Sequence, residues 1–139
     1  LCAFNAAGVP HDDPAVRRAV DWLRRRQNAD GGWGENGQTY WRERRDEPCA
    51  STASQTAWAT LAMMAAGEVD APEVRQGIDF LLAAPRKGDE WDEAWYTAVG
   101  FPRVFYLRYL CYRSYFPLWA LARYRNLTRS NSRRPTTGM

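Results

Sequence analysis

The chain has 139 residues, of which 45% are hydrophobic, 25% are charged and 14% are aromatic, and its net charge is +3. That length suits a single domain, and the aromatic content together with a mean hydropathy of −0.59 argues against a disordered chain and against an integral membrane bundle. The basic excess is spread over predicted helix faces and a tail, without a zinc-finger, RNP-like or phosphate-loop motif, which argues against nucleic-acid binding.

Two helices are predicted in the first part of the chain. Residues 1–8 are typical of the end of a helix that closes at Gly8. Because Leu1 is not an initiator Met, we expect the chain to be truncated at its start. Asp13 then provides a helix cap and Pro14 suits the first helical position. The apolar residues that follow have helical spacing and predict an amphipathic helix with one solvated face; they are Val16, Ala19, Val20 and Leu23.

The remaining predicted helices alternate in character. Residues 51–66 carry no charge, which predicts a helix buried on most sides, whereas residues 71–84 have one solvated face. A last, buried helix is predicted over 112–127, where Pro117 is tolerated only in the first turn. Residues 85–102 are interpreted as a connection. Strands are not predicted, because no segment alternates polar and apolar residues as a sheet requires.

The order of solvated and buried helices predicts the architecture. Helices that alternate between a solvated outer layer and an inner layer packed on both sides form part of an α/α barrel. The sequence therefore predicts an all-α fold that is part of an (α/α)6 barrel, with a plain helical bundle as the alternative. The barrel part would span residues 1–127, and residues 128–139 would form a disordered basic tail.

An internal repeat supports the barrel. In the first copy, the apolar pair at 22–23 is followed by a glycine-rich turn that holds Trp33. In the second copy, the apolar pair at 80–81 is followed by a turn that holds Trp91. The spacing of the two tryptophans is too long for tetratricopeptide or ankyrin arrays and suits one outer helix and one inner helix per unit.

The residue types present disfavour nucleophilic and metal chemistry. His11 is the single histidine and stands beside Asp12 and Asp13 at a predicted helix start, which argues against a Ser-His-Asp or Cys-His set. The cysteines are widely spaced and form no Cys-x-x-Cys pair, so neither a disulfide framework nor a zinc site is predicted and a reducing compartment fits best. They are Cys2, Cys49 and Cys111. We predict no metal and no cofactor.

Three separated motifs carry a resemblance to a known family. The segment 27–35, QNADGGWGE, resembles the Gln-Trp repeat of triterpene cyclases. The segments 50–59, ASTASQTAWA, and 100–124, GFPRVFYLRYLCYRSYFPLWALARY, resemble the carboxyl-terminal end of squalene-hopene cyclases. The motifs occur in the family's order, and the block at 100–107 resembles the bacterial squalene branch more than the oxidosqualene branch.

The resemblance implies an enzyme that cyclises squalene to hopene and hopanol by an acid-initiated carbocation cascade. Such a reaction needs a strong acid, a dry cavity and groups that stabilise cations without attacking them, and aromatic faces meet the last need. The residues that match the family's cavity wall are Phe101, Phe105, Leu107, Tyr109 and Tyr112. Phe101 and Phe105 are implied to face cations formed late in the cascade. Taken without the resemblance, positions 101, 105, 109 and 112 have the spacing of one helical face and also fit core aromatics.

The residues that match the Gln-Trp repeat are assigned a structural role. They are Gln27, Gly31 and Trp33, with Trp91 in a degenerate second copy that has Pro85 in place of the glutamine. A glutamine amide can stack on the indole and bond a helix end, which would tie an outer helix to its neighbour. The resemblance implies that such ties stiffen the barrel, and the sequence leaves the tie at Trp91 open.

Two polar residues are interpreted as structural although they invite catalytic roles. Glu35 follows the glycine-rich turn and is expected to be solvated or paired with an arginine. Thr52 is expected to cap the uncharged helix.

The family's acid motif, Asp-x-Asp-Asp, does not occur in this chain. The resemblance implies that the acid lies upstream of Leu1, together with a segment that docks on the membrane, so we expect the isolated chain not to turn over squalene. It also implies a peripheral, monotopic protein on the cytoplasmic side of a bacterial membrane and allows a homodimer.

Three other functions stay open at this point. One is a non-catalytic α/α toroid fragment that binds a prenyl lipid or a protein partner, and another is a fragment of an oxidosqualene cyclase. The third is a basic helical module that binds anionic surfaces. Its basic residues would be Arg123, Arg125, Arg129, Arg133 and Arg134.

Overall fold

The computed structural model describes residues 1–97, 99–101 and 103–129. Within these residues the chain forms five α-helices: α1 Cys2–Ala6, α2 Pro14–Arg26, α3 Ala53–Ala65, α4 Pro72–Ala83 and α5 Tyr112–Arg129. Two antiparallel hairpins pair β1 Arg86–Lys87 with β2 Glu90–Trp91 and β3 Val99–Phe101 with β4 Phe105–Leu107. Short 3-10 turns span Gly37–Tyr40 and Arg42–Arg44. Most of the predicted tail, residues 130–139, lies outside the described residues.

The two outer helices begin where the sequence predicts. The Asp13 carboxylate accepts the N–H of Ala15 at 2.7 Å, and Pro14 occupies the first position of α2. α4 also begins with a proline, Pro72, but it follows Ala71 and has no side-chain cap. Each helix buries one stripe and leaves the opposite side in solvent; the buried residues are Val16 and Val20 of α2 and Val74, Gly77, Ile78 and Leu81 of α4. The prediction of two helices with one solvated face each is confirmed.

α3 is the central helix of the described structure and packs against the other four. Eleven of its residues are buried. Thr52 caps it, because its hydroxyl accepts the N–H of Gln55 at 3.3 Å. Small residues let the neighbouring helix approach closely: a Cβ added to Gly77 of α4 would stand 2.7 Å from the Thr60 hydroxyl. Both the buried helix and its threonine cap are confirmed.

α5 is less buried than the predicted inner helix. One side packs on α3 and α4 and buries Pro117, Ala120 and Leu127, whereas Leu118 and Trp119 are exposed. The expected burial on both sides is wrong for this chain, since its described residues supply neighbours on one side only. Pro117 lies in the second turn, so the expectation of a first-turn proline is wrong as well. The helix runs to Arg129, two residues beyond the predicted end at 127.

The two hairpins correct the expectation of no strands. Their strands have two or three residues each, too few for polar and apolar alternation to show in the sequence. The β3–β4 hairpin also overturns the reading of 101, 105, 109 and 112 as one helical face, because Phe101 and Phe105 are paired across strands. Among the described residues, no helix is long and apolar enough to cross a membrane.

Candidate active-site wall and tryptophan ties

The β3–β4 hairpin displays the first group of predicted wall residues. Phe101 and Phe105 are cross-strand partners whose rings meet edge to face at 5.3 Å between centroids. They are 65% and 44% exposed, and Leu107 at the end of β4 is exposed too. The hairpin needs a residue without a side chain at Gly100, which has φ +150 and whose added Cβ would stand 2.9 Å from the Phe105 carbonyl oxygen. The hairpin therefore presents an apolar surface to solvent.

The second group of wall residues lies at the start of α5. Tyr109 stacks on Tyr112 with centroids 4.9 Å apart. Tyr112 in turn meets Trp58 edge to face at 5.4 Å and Phe116 at 5.2 Å. Within the described residues no ring contact joins this group to the hairpin pair. The predicted wall residues thus form two aromatic groups rather than one cluster.

Trp58 is a member of the second group that the sequence analysis did not single out. It stands in the middle of α3 and also contacts the Phe116 ring edge to face at 5.2 Å. Trp58 is the single aromatic residue of that uncharged helix. A lone large ring among small residues was the sequence signal that could have identified it as a candidate wall residue. Trp58 connects the central helix to Tyr112.

A cavity of about 900 Å³ adjoins Trp58 on the side of α2. Its apolar wall includes Trp22, Trp33, Trp58, Ala59 and Ala62. Its polar wall includes Gln27, Glu35, Arg45, Glu47, Gln55 and Thr97. The five predicted wall residues do not line it, and Trp58 is the contact between this cavity and the Tyr112 group. The molecule therefore has a cavity of mixed polar and apolar lining and an aromatic surface that meet at one indole.

Glu35 stands at the polar wall of that cavity. Its backbone is held by the Gln55 side chain, which accepts the Glu35 N–H at 2.9 Å and donates to the Glu35 carbonyl at 3.0 Å. Glu35 is exposed as a residue, and no ion pair holds its carboxylate within the described residues, so of the two expected alternatives the solvated one is found. Partial desolvation beside the cavity raises the pKa of the Glu35 carboxyl.

Gln27 links α2 to α4. It follows α2 as its C-terminal cap, and its amide nitrogen donates to the carbonyl of Gly31 at 2.8 Å and to that of Glu73 at 2.9 Å. Glu73 lies in the first turn of α4. One side chain therefore closes the glycine-rich turn and joins it to the next outer helix.

We expect Gln27→Ala to lower the free energy of unfolding by about 1–3 kcal/mol, because two hydrogen bonds are lost in a half-buried place. The melting temperature measures the effect. Gln38→Ala is the control: it removes an exposed glutamine of the 3-10 turn Gly37–Tyr40, whose side chain bonds only the exposed Arg44 among the described residues, and it should lower the melting temperature much less. A loss at Gln38 as large as that at Gln27 would contradict the assigned tie.

Trp33 and Trp91 make the same bond in their two copies of the repeat. The Trp33 indole N–H donates to the carbonyl of Leu23 in the last turn of α2, and the Trp91 indole N–H donates to that of Leu81 in the last turn of α4, each at 2.8 Å. Both indoles thereby satisfy carbonyls that a helix end leaves without a partner. The tie that the sequence left open at Trp91 is present.

The second copy differs in what replaces the glutamine. Pro85 has no amide to donate, so the link that the glutamine makes is missing there. Glu90 of the same turn reaches the following helix in another way, because it pairs with Arg113 of α5 and accepts the Ser114 hydroxyl at 3.1 Å. The Arg86 guanidinium also lies over the Trp91 ring at 4.2 Å from its centroid. The degenerate copy thus keeps the indole tie to its own helix and replaces the glutamine link by an ion pair to α5.

Cysteines and acidic residues do not assemble into a site. Cys2, Cys49 and Cys111 are free, and burial raises the pKa of the Cys2 and Cys49 thiols. In the part of the chain that the structure describes, no group of His, Cys, Asp and Glu is placed to hold a metal ion.

Comparison with known proteins gives a consistent result. A family profile described as the squalene-hopene cyclase C-terminal domain matches residues 1–126. A squalene-hopene cyclase of Bradyrhizobium diazoefficiens is 59% identical over 100% of this chain and 21% of its own length. One of Zymomonas mobilis is 54% identical over 94% of this chain and 20% of its own length. A lanosterol synthase of Mus musculus is 32% identical over 95% of this chain and 18% of its own length. The chain thus spans about a fifth of the length of these relatives.

Proposed function

The chain belongs to the squalene-hopene cyclase family, and from this premise we propose that it is the carboxyl-terminal part of an enzyme that cyclises squalene to hopene and hopanol. Its helices would contribute one part of an α/α barrel. The bacterial squalene-hopene cyclases are more similar to it than the lanosterol synthase is, which favours the squalene branch over the oxidosqualene branch.

The proposal assigns this chain the product end of the cavity wall. A polyene cascade carries positive charge on carbon, which a nucleophilic wall would trap. Aromatic faces attract a cation by about 0.5–2 kcal/mol each and do not attack it. Phe101 and Phe105 would face late cations, while Leu107, Tyr109 and Tyr112 would shape the wall.

The exposure of these rings is the observation that carries the proposal. Phe101, Phe105, Leu107 and Tyr109 lie on the surface of the chain, although each would gain by burial. Contiguous apolar surface of this kind marks a binding site or an interface. A wall that meets an apolar substrate would be exposed in this way, and the match of these positions to the family's cavity wall supports that reading over a contact with another part of the protein.

The acid that starts the cascade would come from another part of the protein. The chain contains no Asp-x-Asp-Asp motif, so we expect no turnover of squalene by the isolated chain. We propose that the same other part attaches the enzyme to the cytoplasmic face of a bacterial membrane, and that the enzyme is a homodimer.

A chimera tests the function. In it, this chain replaces the matching carboxyl-terminal fifth of the Bradyrhizobium diazoefficiens relative. We expect the chimera to convert squalene to pentacyclic products, identified by gas chromatography and mass spectrometry, with the unaltered relative as control. A folded chimera without cyclase activity would overturn the proposal.

The aromatic assignment has its own prediction in the chimera. Phe105→Ala should raise the share of incompletely cyclised products about fivefold, because one cation–π contact of about 1 kcal/mol is lost. Val104→Ala removes an exposed apolar side chain from the tip of the same hairpin and should leave the product pattern unchanged. Equal product patterns in Phe105→Ala and Val104→Ala would contradict the assignment of Phe105 to the cavity wall.

A non-catalytic, lipid-binding fragment is the second candidate, favoured by the 900 Å³ cavity and its three tryptophans. If the chimera is inactive, binding of squalene by the isolated chain, followed by tryptophan fluorescence, would support this candidate. If squalene does not bind, the non-catalytic fragment would instead be expected to bind a protein partner.

A further inference from the structure

The loop and hairpin from Glu93 to Arg108 are closed at their base over the N-terminal end of α3. Glu93 begins this segment and is only 8% exposed. Its Oε2 accepts the backbone N–H of Ser54 at 3.0 Å, and the Ser54 hydroxyl donates to the same carboxylate at 3.0 Å. Ser54 lies in the first turn of α3, where N–H groups have no partner within the helix. A buried carboxylate thus caps the central helix from a distant part of the chain.

The other end of the segment returns to the same residue. Arg108 follows β4 directly, and its Nη2 donates to the Glu93 carbonyl at 3.0 Å. Its guanidinium also lies over the Tyr96 ring at 5.2 Å from the centroid. Between the two ends, the Gln55 amide donates to the Thr97 hydroxyl at 3.0 Å. The two ends of the segment are therefore joined at a base, and this base is bonded to two consecutive residues of α3, Ser54 and Gln55.

The residue that precedes this base is fixed from the other side. Trp91, two positions before Glu93, is buried and bonded to the carbonyl of Leu81 in α4. The backbone at Glu93 is thereby held between α4 and α3. Glu93 thus fixes one end of the segment directly and the other through its carbonyl bond to Arg108. The tip is held separately, where Arg103 donates to the Tyr40 carbonyl at 2.6 Å.

Glu93 complements the local cap and does not duplicate it. The Thr52 hydroxyl accepts the Gln55 N–H, whereas Glu93 accepts the Ser54 N–H. A cap contributed 39 positions away in the chain fixes the relative placement of two segments, which a local cap cannot do.

We propose that Glu93 is a positioning residue that fixes the base of the β3–β4 hairpin relative to α3, and with it the placement of Phe101 and Phe105. The proposal rests on the proposed function, since the placement of these rings matters only if they line the cavity. Glu93 acts through the hairpin and does not touch the substrate.

The test uses Glu93→Ala, Glu93→Gln and Asp92→Ala in the chimera, with product pattern and melting temperature measured for each. Glu93→Ala should raise the share of incompletely cyclised products about tenfold or more, since displacement of reacting groups by about 1 Å can cost a hundredfold. Glu93→Gln keeps an oxygen for the Ser54 N–H and should restore most of the wild-type pattern. Asp92→Ala removes an exposed neighbouring carboxylate and should change neither measurement.

Arg108→Ala removes the bond to the Glu93 carbonyl but leaves the bonds between Glu93 and α3 in place. It therefore tests the positioning role if Glu93→Ala does not fold. It should shift the products in the same direction as Glu93→Ala. A lower melting temperature with a wild-type product pattern, in Glu93→Ala or in Arg108→Ala, would overturn the positioning role.

Phe105→Ala separates this failure from failure of the proposed function. If Phe105→Ala alters the products and the Glu93 and Arg108 variants do not, the positioning role alone is wrong. If none of the three alters them, the assignment of the hairpin to the cavity wall is wrong.

Discussion

Replacing Trp33 by Ala is expected to lower the free energy of unfolding by about 3–5 kcal/mol, the usual cost of removing a large aromatic side chain from a core. Trp33 is 5% exposed and lies where three helices meet: its indole contacts α2 and α4, and its backbone N–H donates to the Thr56 hydroxyl of α3 at 2.9 Å. Its indole N–H bonds the Leu23 carbonyl, and a Cβ added to Gly77 would stand 3.0 Å from its ring. Loss of the indole would leave a cavity at the point where three helices meet.

The melting temperature of the chimera measures this loss, with two further variants as references. Trp22→Ala removes an indole that is 51% exposed and should cost much less. Trp33→Phe keeps most of the apolar contact but not the hydrogen bond, so its melting temperature should lie between those of Trp33→Ala and Trp22→Ala. We expect the products of the cyclase to stay nearly unchanged in Trp33→Ala. Altered products at an unchanged melting temperature would contradict the structural role.

Gly31→Ala is expected to lower the free energy of unfolding by about 2–5 kcal/mol, and Gly88→Ala by only about 1–2 kcal/mol. Both glycines follow their outer helices with positive φ, +84 at Gly31 and +65 at Gly88, so a side chain strains the backbone in either place. Only at Gly31 would the new Cβ also collide, at 2.7 Å, with the backbone oxygen of Gln76 in α4. At Gly88 nothing lies within 4 Å.

The comparison of the two glycine variants isolates the close approach between the turn and α4. Melting temperatures of Gly31→Ala and Gly88→Ala in the same chimera give the difference. Equal losses would show that backbone strain accounts for both and that the turn does not press on α4. A larger loss at Gly31 would show that the first copy of the repeat needs glycine for packing as well as for conformation.

Local sequence sufficed for the helices because their causes are local. Asp13 caps α2, and Pro14 supplies a φ suited to its first position. Thr52 caps α3 by accepting the N–H of Gln55, three residues further along the chain. The absence of charge in α3 predicts its burial, since a helix without a polar face has no side to expose. The family resemblance is carried by motifs of adjacent residues and needed no structure.

The hairpins and the degenerate repeat were beyond local reasoning. Strands of two or three residues are too short for a periodic signal, and the helical spacing of 101, 105, 109 and 112 pointed to the wrong element. The tie at Trp91 survives without its glutamine because the indole bonds its own preceding helix. The exposed side of α5 could not be foreseen either, because burial depends on which neighbours are present.

The sequence by itself determined where the helices begin, that the uncharged residues 51–66 form a buried helix, which family the chain belongs to and which aromatic residues are candidates for a cavity wall. Only the tertiary structure showed that these aromatics form two groups, that Trp58 joins one of them to a cavity, and that Glu93 closes the hairpin over α3. The physical reason is the range of the interactions. Caps, turns and periodic burial act over a few residues, whereas a carboxylate that caps a helix 39 positions away depends on the whole path of the chain.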